Sequence, residues 1–366
     1  MEEFVTQNLA LTAWSLSTLG VFHEPLFDAI AEAAIRTMRE FSTQGLNNLV
    51  WSFATVDLMN VPLLEAISAA AILRISLYNP QELANTLWAV ARLAWSNTPL
   101  LEALSAAAIL TMGDFETQNL ANTAWALATL SVEDEPLLQS ISAAALSTLS
   151  HFGAQDLSNT SWAFATRAVH DVPLMHAMAA AAISRISDFE AQDLANTAWA
   201  FASLKFDDVE PLMASIAAGA IPRLTAFNAQ ELSNTAWAFA ALLLQHHTPL
   251  LNSIAAGAMP SIREFAPQDL ANTAWSLAKL EFSHDDPLLH AISASAICRI
   301  HDFAPQNLSN TVWAFAFVKL WDAPLLDAIA EASLSRLSNF GGQAIANTLW
   351  SFAHLTDRLH TPLLHA

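Results

Sequence analysis

Residues 192–201 read Gln192-Asp193-Leu194-Ala195-Asn196-Thr197-Ala198-Trp199-Ala200-Phe201. Close variants return at 81–90, 118–127 and 268–277, each with tryptophan in the eighth place. Counting outward from Trp199 gives ten phased tryptophans: Trp14, Trp51, Trp88, Trp125, Trp162, Trp199, Trp237, Trp275, Trp313 and Trp350, spaced by 37 or 38 residues. Ten prolines, from Pro25 and Pro62 to Pro324 and Pro362, keep the same phase. The distance from Trp to Pro is 11 or 12, whereas Pro to the next phased aromatic (Phe41, Tyr78, Phe115, Phe152) is always 16. The length variation therefore falls in the segment before the proline, which reads as a loop, because a loop absorbs an insertion and a packed helix does not.

Each repeat reads as two helices. Helix A starts at the residue before the phrase glutamine, where Pro80, Pro267 and Pro305 suit a first turn that needs no N–H. Helix B starts at the phased proline and carries apolar residues at three- and four-residue intervals, as in 62–72. Pro222 and Pro260, late in helix B, are expected to kink or end it. The fold class is all-α, an α-solenoid of about ten two-helix repeats of 37–38 residues forming one continuous domain over 1–366. The count is nine full pairs plus one broken pair, since the chain stops just after Pro362, which reads as a fragment or an open-ended array.

Successive helical residues lie about 100° apart, which puts Leu194 and Phe201 opposite Gln192, Asn196 and Trp199. Leu and Phe are thus expected to meet helix B, and Ala195, Ala198 and Ala202 to let neighbouring A helices approach. The Gln–Asn–Trp stripe points away from that core and has two readings. It is a ladder of amides bonded from repeat to repeat with Trp wedged between, or an exposed strip able to stack and hydrogen-bond nucleic-acid bases. Gln and Trp occur in all ten repeats and Asn in nine, with Leu11 replacing it once. A residue that reads a code varies from repeat to repeat, so uniformity favours the ladder. Selectivity is then expected where repeats differ: six residues before Trp (Glu82, Asn119, Asp156, Asp193), four after it (Arg92, Lys279, Phe317, His354), and early in helix B.

With 54% hydrophobic and 13% charged residues the chain can bury a large core and is not disordered. No apolar run approaches the ~20 residues that span a bilayer, so no membrane association is read. The single cysteine, Cys298, excludes an intramolecular disulfide and a cysteine-based zinc site. The net charge of −20 speaks against a generic polyanion binder. Eight of eleven arginines nonetheless cluster near helix B C-termini, among them Arg74, Arg185, Arg223, Arg299 and Arg336. Cations suit that end of the helix dipole, and a phased row of them could also follow phosphates. His170 and His176 flank Pro173, and His284 and His290 flank Pro287 at the same offsets, a match the repeat itself explains. No phosphate loop, nucleophile elbow or metalloprotease helix is present, so no catalytic residue, cofactor, metal ligand or small-molecule substrate is assigned.

The phrase around Trp199, followed by a loop and a Pro-Leu-Leu helix, resembles the octotricopeptide-type repeats of organellar RNA-binding proteins. It is also similar to the repeats of RAP-domain and FAST-kinase-like proteins and of helical subunits of the RNA-editing substrate-binding complex. The resemblance implies a non-enzymatic module that binds single-stranded RNA in a mitochondrion or plastid and acts in RNA processing, stability or translation. On that reading the contacts come from Asn85, Asn122, Asn159, Asn196, Asn234, Asn272 and Asn310 with the phased arginines. The acidic balance keeps a second reading open, a protein–protein scaffold for basic partners. The start, Met1-Glu2-Glu3, has no transit-peptide character, which leaves the cytoplasm open as well.

Overall fold

A computed structural model describes residues 5–281 and 287–355, and every regular element among them is helical. The chain forms two compact units, Met1–Ala181 and Ala182–Ala366. In the N-terminal unit the A helices are α1 (Thr6–Thr18), α3 (Thr43–Thr55), α5 (Pro80–Arg92), α7 (Thr117–Thr129) and α9 (Ala154–Thr166). They alternate with the B helices α2 (Glu24–Arg36), α4 (Val61–Ile72), α6 (Thr98–Thr111) and α8 (Glu135–Thr148), and α10 (Val172–Ser184) follows. In the C-terminal unit the A helices are α11 (Ala191–Ser203), α13 (Ala229–Ala241), α15 (Pro267–Lys279), α17 (Pro305–Phe317) and α19 (Gly342–His354). Their B helices are α12 (Glu210–Ala220), α14 (Thr248–Ala258), α16 (Pro287–Cys298) and α18 (Ala323–Ser335). Each unit is thus a stack of helix pairs, an α-solenoid architecture. The tenth helix B expected at Pro362, and His284 of the flanking histidines, lie outside the described residues.

Local chemistry sets the helix ends. Every A helix begins at the residue before the phrase glutamine, as expected. Most B helices begin one residue before the phased proline, which stays in the first turn where its missing N–H is harmless. The side chains of His23, Asn60, Asn97, Asp134, Asp171 and Asp322 cap those B helices, accepting main-chain N–H donors at 3.0–3.2 Å. As Pro222 and Pro260 predict, α12 and α14 stop at Ala220 and Ala258 and pass into six-residue 3₁₀ segments.

The A helices end in a device with no glycine signature. After α3, Leu58 N–H donates to the Phe53 carbonyl at 2.9 Å and Asp57 N–H to that of Ala54 at 3.2 Å, a Schellman closure. That closure needs a left-handed residue six places after the phrase tryptophan. Gly20 fills it at φ +65°, but Asp57, Ala94, Ser131, Ala168, Lys205, Leu243, Glu281 and Lys319 hold it at φ +49° to +60°. A side chain in that region is strained.

Packing follows the two faces of helix A. Leu194 and Phe201 are fully buried, and Ala195, Ala198 and Ala202 are at most 2% exposed. Within each unit, successive A helices pack directly on each other and far more closely than successive B helices do. Two polar ladders fix the register between repeats. Along the A helices Thr43 Oγ1 donates to Glu82 at 3.1 Å, Thr117 Oγ1 to Asp156 at 2.8 Å and Ser233 Oγ to Asp269 at 2.9 Å. Along the B helices a mid-helix serine donates to the N-cap of the next: Ser68 to Asn97, Ser105 to Asp134, Ser142 to Asp171 and Ser293 to Asp322.

The left-handed closures give a direct test. Ala94→Gly or Lys319→Gly removes a Cβ from a strained φ and is expected to stabilise the chain by ~0.5–1 kcal/mol in urea unfolding. Destabilisation by either substitution would show that the closure is not the source of strain.

Candidate functional site

The phrase stripe lies on the surface. All its described glutamines are exposed, and Asn85, Asn122, Asn159, Asn196, Asn234, Asn272 and Asn310 are half-buried. Among the described residues these amides make no side-chain hydrogen bond to the protein. The expected amide ladder is therefore absent, and the ladder between A helices is built instead from Thr, Ser, Asp and Glu. Asn47, beside the phrase asparagine Asn48, does join it, donating to the Glu82 carbonyl at 3.1 Å and to Thr86 at 3.3 Å. The small residues explain this division. A close approach of alanine faces leaves no room between helices for the longer amides, which stay at the rim.

Concave clefts follow the stripe. One is lined by Trp14, Gln44, Asn48, Trp51, Gln81 and Asn85, and another by Gln306, Asn310, Gln343 and Asn347. Each offers amide donors and acceptors beside an apolar rim. The tryptophans line up as tilted neighbours: Trp88 and Trp125 have centroids 6.5 Å apart, Trp199 and Trp237 6.3 Å, Trp275 and Trp313 6.3 Å. Most are half-buried, while Trp14 and Trp350 are 41% and 44% exposed. The variable residue four places on covers a ring in two repeats, Phe317 stacking on Trp313 at 5.0 Å and His354 on Trp350 at 4.7 Å. That position lies on the strip and modifies it.

The position six before the tryptophan does different work. Glu82, Asp156, Asp193 and Asp269 sit in the first turn and accept the N-cap N–H at 3.0–3.2 Å. With Glu82, Asn119, Asp193 and Asp269 at 7–8% exposed, this series is a set of helix caps rather than the selectivity position expected from its variation. Asp, Glu and Asn all serve as acceptors there, whereas Gly45 and Ala344 in the same series offer none.

The arginines are held by backbone. Arg74 donates to the Arg39 carbonyl at 2.6 Å, Arg223 to Phe189 and Ser187 at 2.8 Å, and Arg299 to Phe265 at 2.8 Å. Arg336 reaches the carbonyls of Ile300, His301 and Phe303. These carbonyls close the 3₁₀ turn of the preceding repeat, so each guanidinium clamps two repeats together. Arg185 occupies the same place and is half-buried. Beside Arg74, burial and then the Glu82 carboxylate push the Tyr78 phenol well above its ordinary value, with Arg74 opposing. The sequence shows the arginine phase but not the carbonyls, because the acceptors belong to main chain about 34 residues earlier.

If the clamp holds repeats together, Arg299→Met should lower stability by ~1–3 kcal/mol in chemical unfolding, since it strands a partly buried carbonyl. An unchanged midpoint would leave the guanidinium free for another role.

Comparison with curated proteins gave no match. A model of the RNA-editing substrate-binding complex 6 protein family matches residues 1–98, 67–209, 98–247 and 208–361. The overlapping segments restart at different repeats, as a periodic chain allows, and together cover nearly all of it. The chain belongs to the RNA-editing substrate-binding complex 6 protein family.

Proposed function

We propose that this chain is a non-catalytic module that binds single-stranded RNA within an organellar RNA-editing assembly, through the Gln–Asn–Trp strip on its A helices. The observation that carries this reading is a repeated row of side-chain amides with no hydrogen bond inside the protein, which line two clefts, one of them together with the indoles of Trp14 and Trp51. Amides pair with base edges and indoles stack on base faces, neither needing net positive charge. The family's name supplies the substrate class and the editing context.

In this reading Asn85, Asn122, Asn159, Asn196, Asn234, Asn272 and Asn310 make the contacts. Arg74, Arg223, Arg299 and Arg336 act first as clamps, and any phosphate contact by these or by Arg185 uses the donors left over. Uniform amides and a −20 charge suit a sequence-tolerant grip on bases rather than neutralisation of a backbone. No helix among the described residues is long and apolar enough to cross a membrane. The acidic charge also favours a second reading, a scaffold for basic protein partners.

Fluorescence anisotropy with a labelled single-stranded RNA separates the two. Binding is expected at low salt with a shallow dependence on salt, because few phosphates are neutralised. The triple variant Asn196→Ala, Asn234→Ala, Asn272→Ala should weaken it by about tenfold or more, at ~1 kcal/mol or less per lost contact. No RNA binding at low salt sinks this reading and leaves the scaffold. Binding unaffected by the triple variant removes the strip from the site.

A further inference from the structure

Glu210, His246 and His247 converge in the C-terminal unit in a way the repeat pattern does not require. The His246 Nε2 lies 2.7 Å from Glu210 Oε1, and the His247 Nε2 lies 3.0 Å from the same oxygen. All three ligand-capable atoms lie within 4.8 Å of one another. Glu210 opens α12, and the two histidines end the loop before α14. Both loops are of the longer kind, with Trp199 to Pro211 and Trp237 to Pro249 each 12 residues, as are Trp275 to Pro287 and Trp350 to Pro362.

Two further features set the cluster apart. In six other B helices the residue two before the proline caps the helix with its side chain, His23 included. His247 holds that position yet makes no side-chain cap, since its ring turns to Glu210 instead. That ring is only 13% exposed, and Phe239 packs edge-on against it at 5.1 Å, which fixes its orientation. The His246 ring lies 4.4 Å from it by centroid. A carboxylate with two neutral imidazoles is a borderline donor set, suited to zinc and poor for calcium or magnesium. Tetrahedral zinc separates its ligand atoms by about 3.3 Å, so the two histidine-to-Glu210 spacings of 2.7 and 3.0 Å need to open by roughly half an ångström or less.

We infer that Glu210, His246 and His247 form a binding site for a zinc-class divalent cation, with water completing the shell, which clips the loops of two successive repeats together. The site is independent of RNA binding and stands if that reading fails.

Isothermal titration calorimetry of the EDTA-treated full chain with zinc chloride tests it, alongside calcium chloride. The expected result is one zinc site per chain, no calcium binding, and a higher melting temperature with zinc. The double variant His246→Ala, His247→Ala should abolish the site, and Glu210→Gln, which keeps the shape and should fold normally, should weaken it by about tenfold or more. His170→Ala with His290→Ala should leave it intact. Absence of zinc uptake, or affinity unchanged in Glu210→Gln and in the double variant, overturns the proposal.

Discussion

The close approach of neighbouring A helices governs the rest of this molecule. It requires small side chains at the positions of Ala195, Ala198 and Ala202, all buried. Once those faces meet, helix B can reach helix A only through Leu194 and Phe201, and the long amides have nowhere to go but outward. The exposed strip is thus a consequence of the packing, repeated wherever the alanines are. Shorter polar groups take over the work between repeats: Thr and Ser donate along the A helices, serine to N-cap along the B helices, and arginine to carbonyl at the turns.

The same division explains how a uniform surface can be a working one. Residues kept identical from repeat to repeat often hold the array together, but identity alone does not say so. The Asn272 and Gln268 side chains recur without a hydrogen bond among the described residues, whereas Glu82, Asp156 and Asp269 of the varying series are each bonded. Constancy here marks the open surface and variation marks the caps, because several acceptors can cap a helix equally well. On the proposed function, a neutral amide and indole strip suits an acidic chain, whose charge disfavours phosphate tracking.

Much of the fold was legible. The phase of Trp and Pro fixed the repeat, the proline and the residue before the glutamine placed helix starts, and Pro222 and Pro260 marked early helix ends. The helical wheel put Gln192, Asn196 and Trp199 on the outer face, where they stand. What was not legible involved main chain or distant partners. The left-handed closures at Ala94 and Lys319 carry no glycine to announce them. The carbonyls that hold Arg223 and Arg336 have no side-chain signature. Glu210 and His246 are 36 residues apart, and nothing in the repeat phase marks their meeting.

On the proposed function, bound RNA lies along the strip. Photo-crosslinking of a thiouridine-substituted single-stranded RNA, read by mass spectrometry of the attached peptides, tests it most directly. Adducts are expected on helix A peptides at the phrase Gln, Asn and Trp positions in several successive repeats. Adducts confined to the ends of helix B, around Arg74, Arg223 and Arg299, would contradict it.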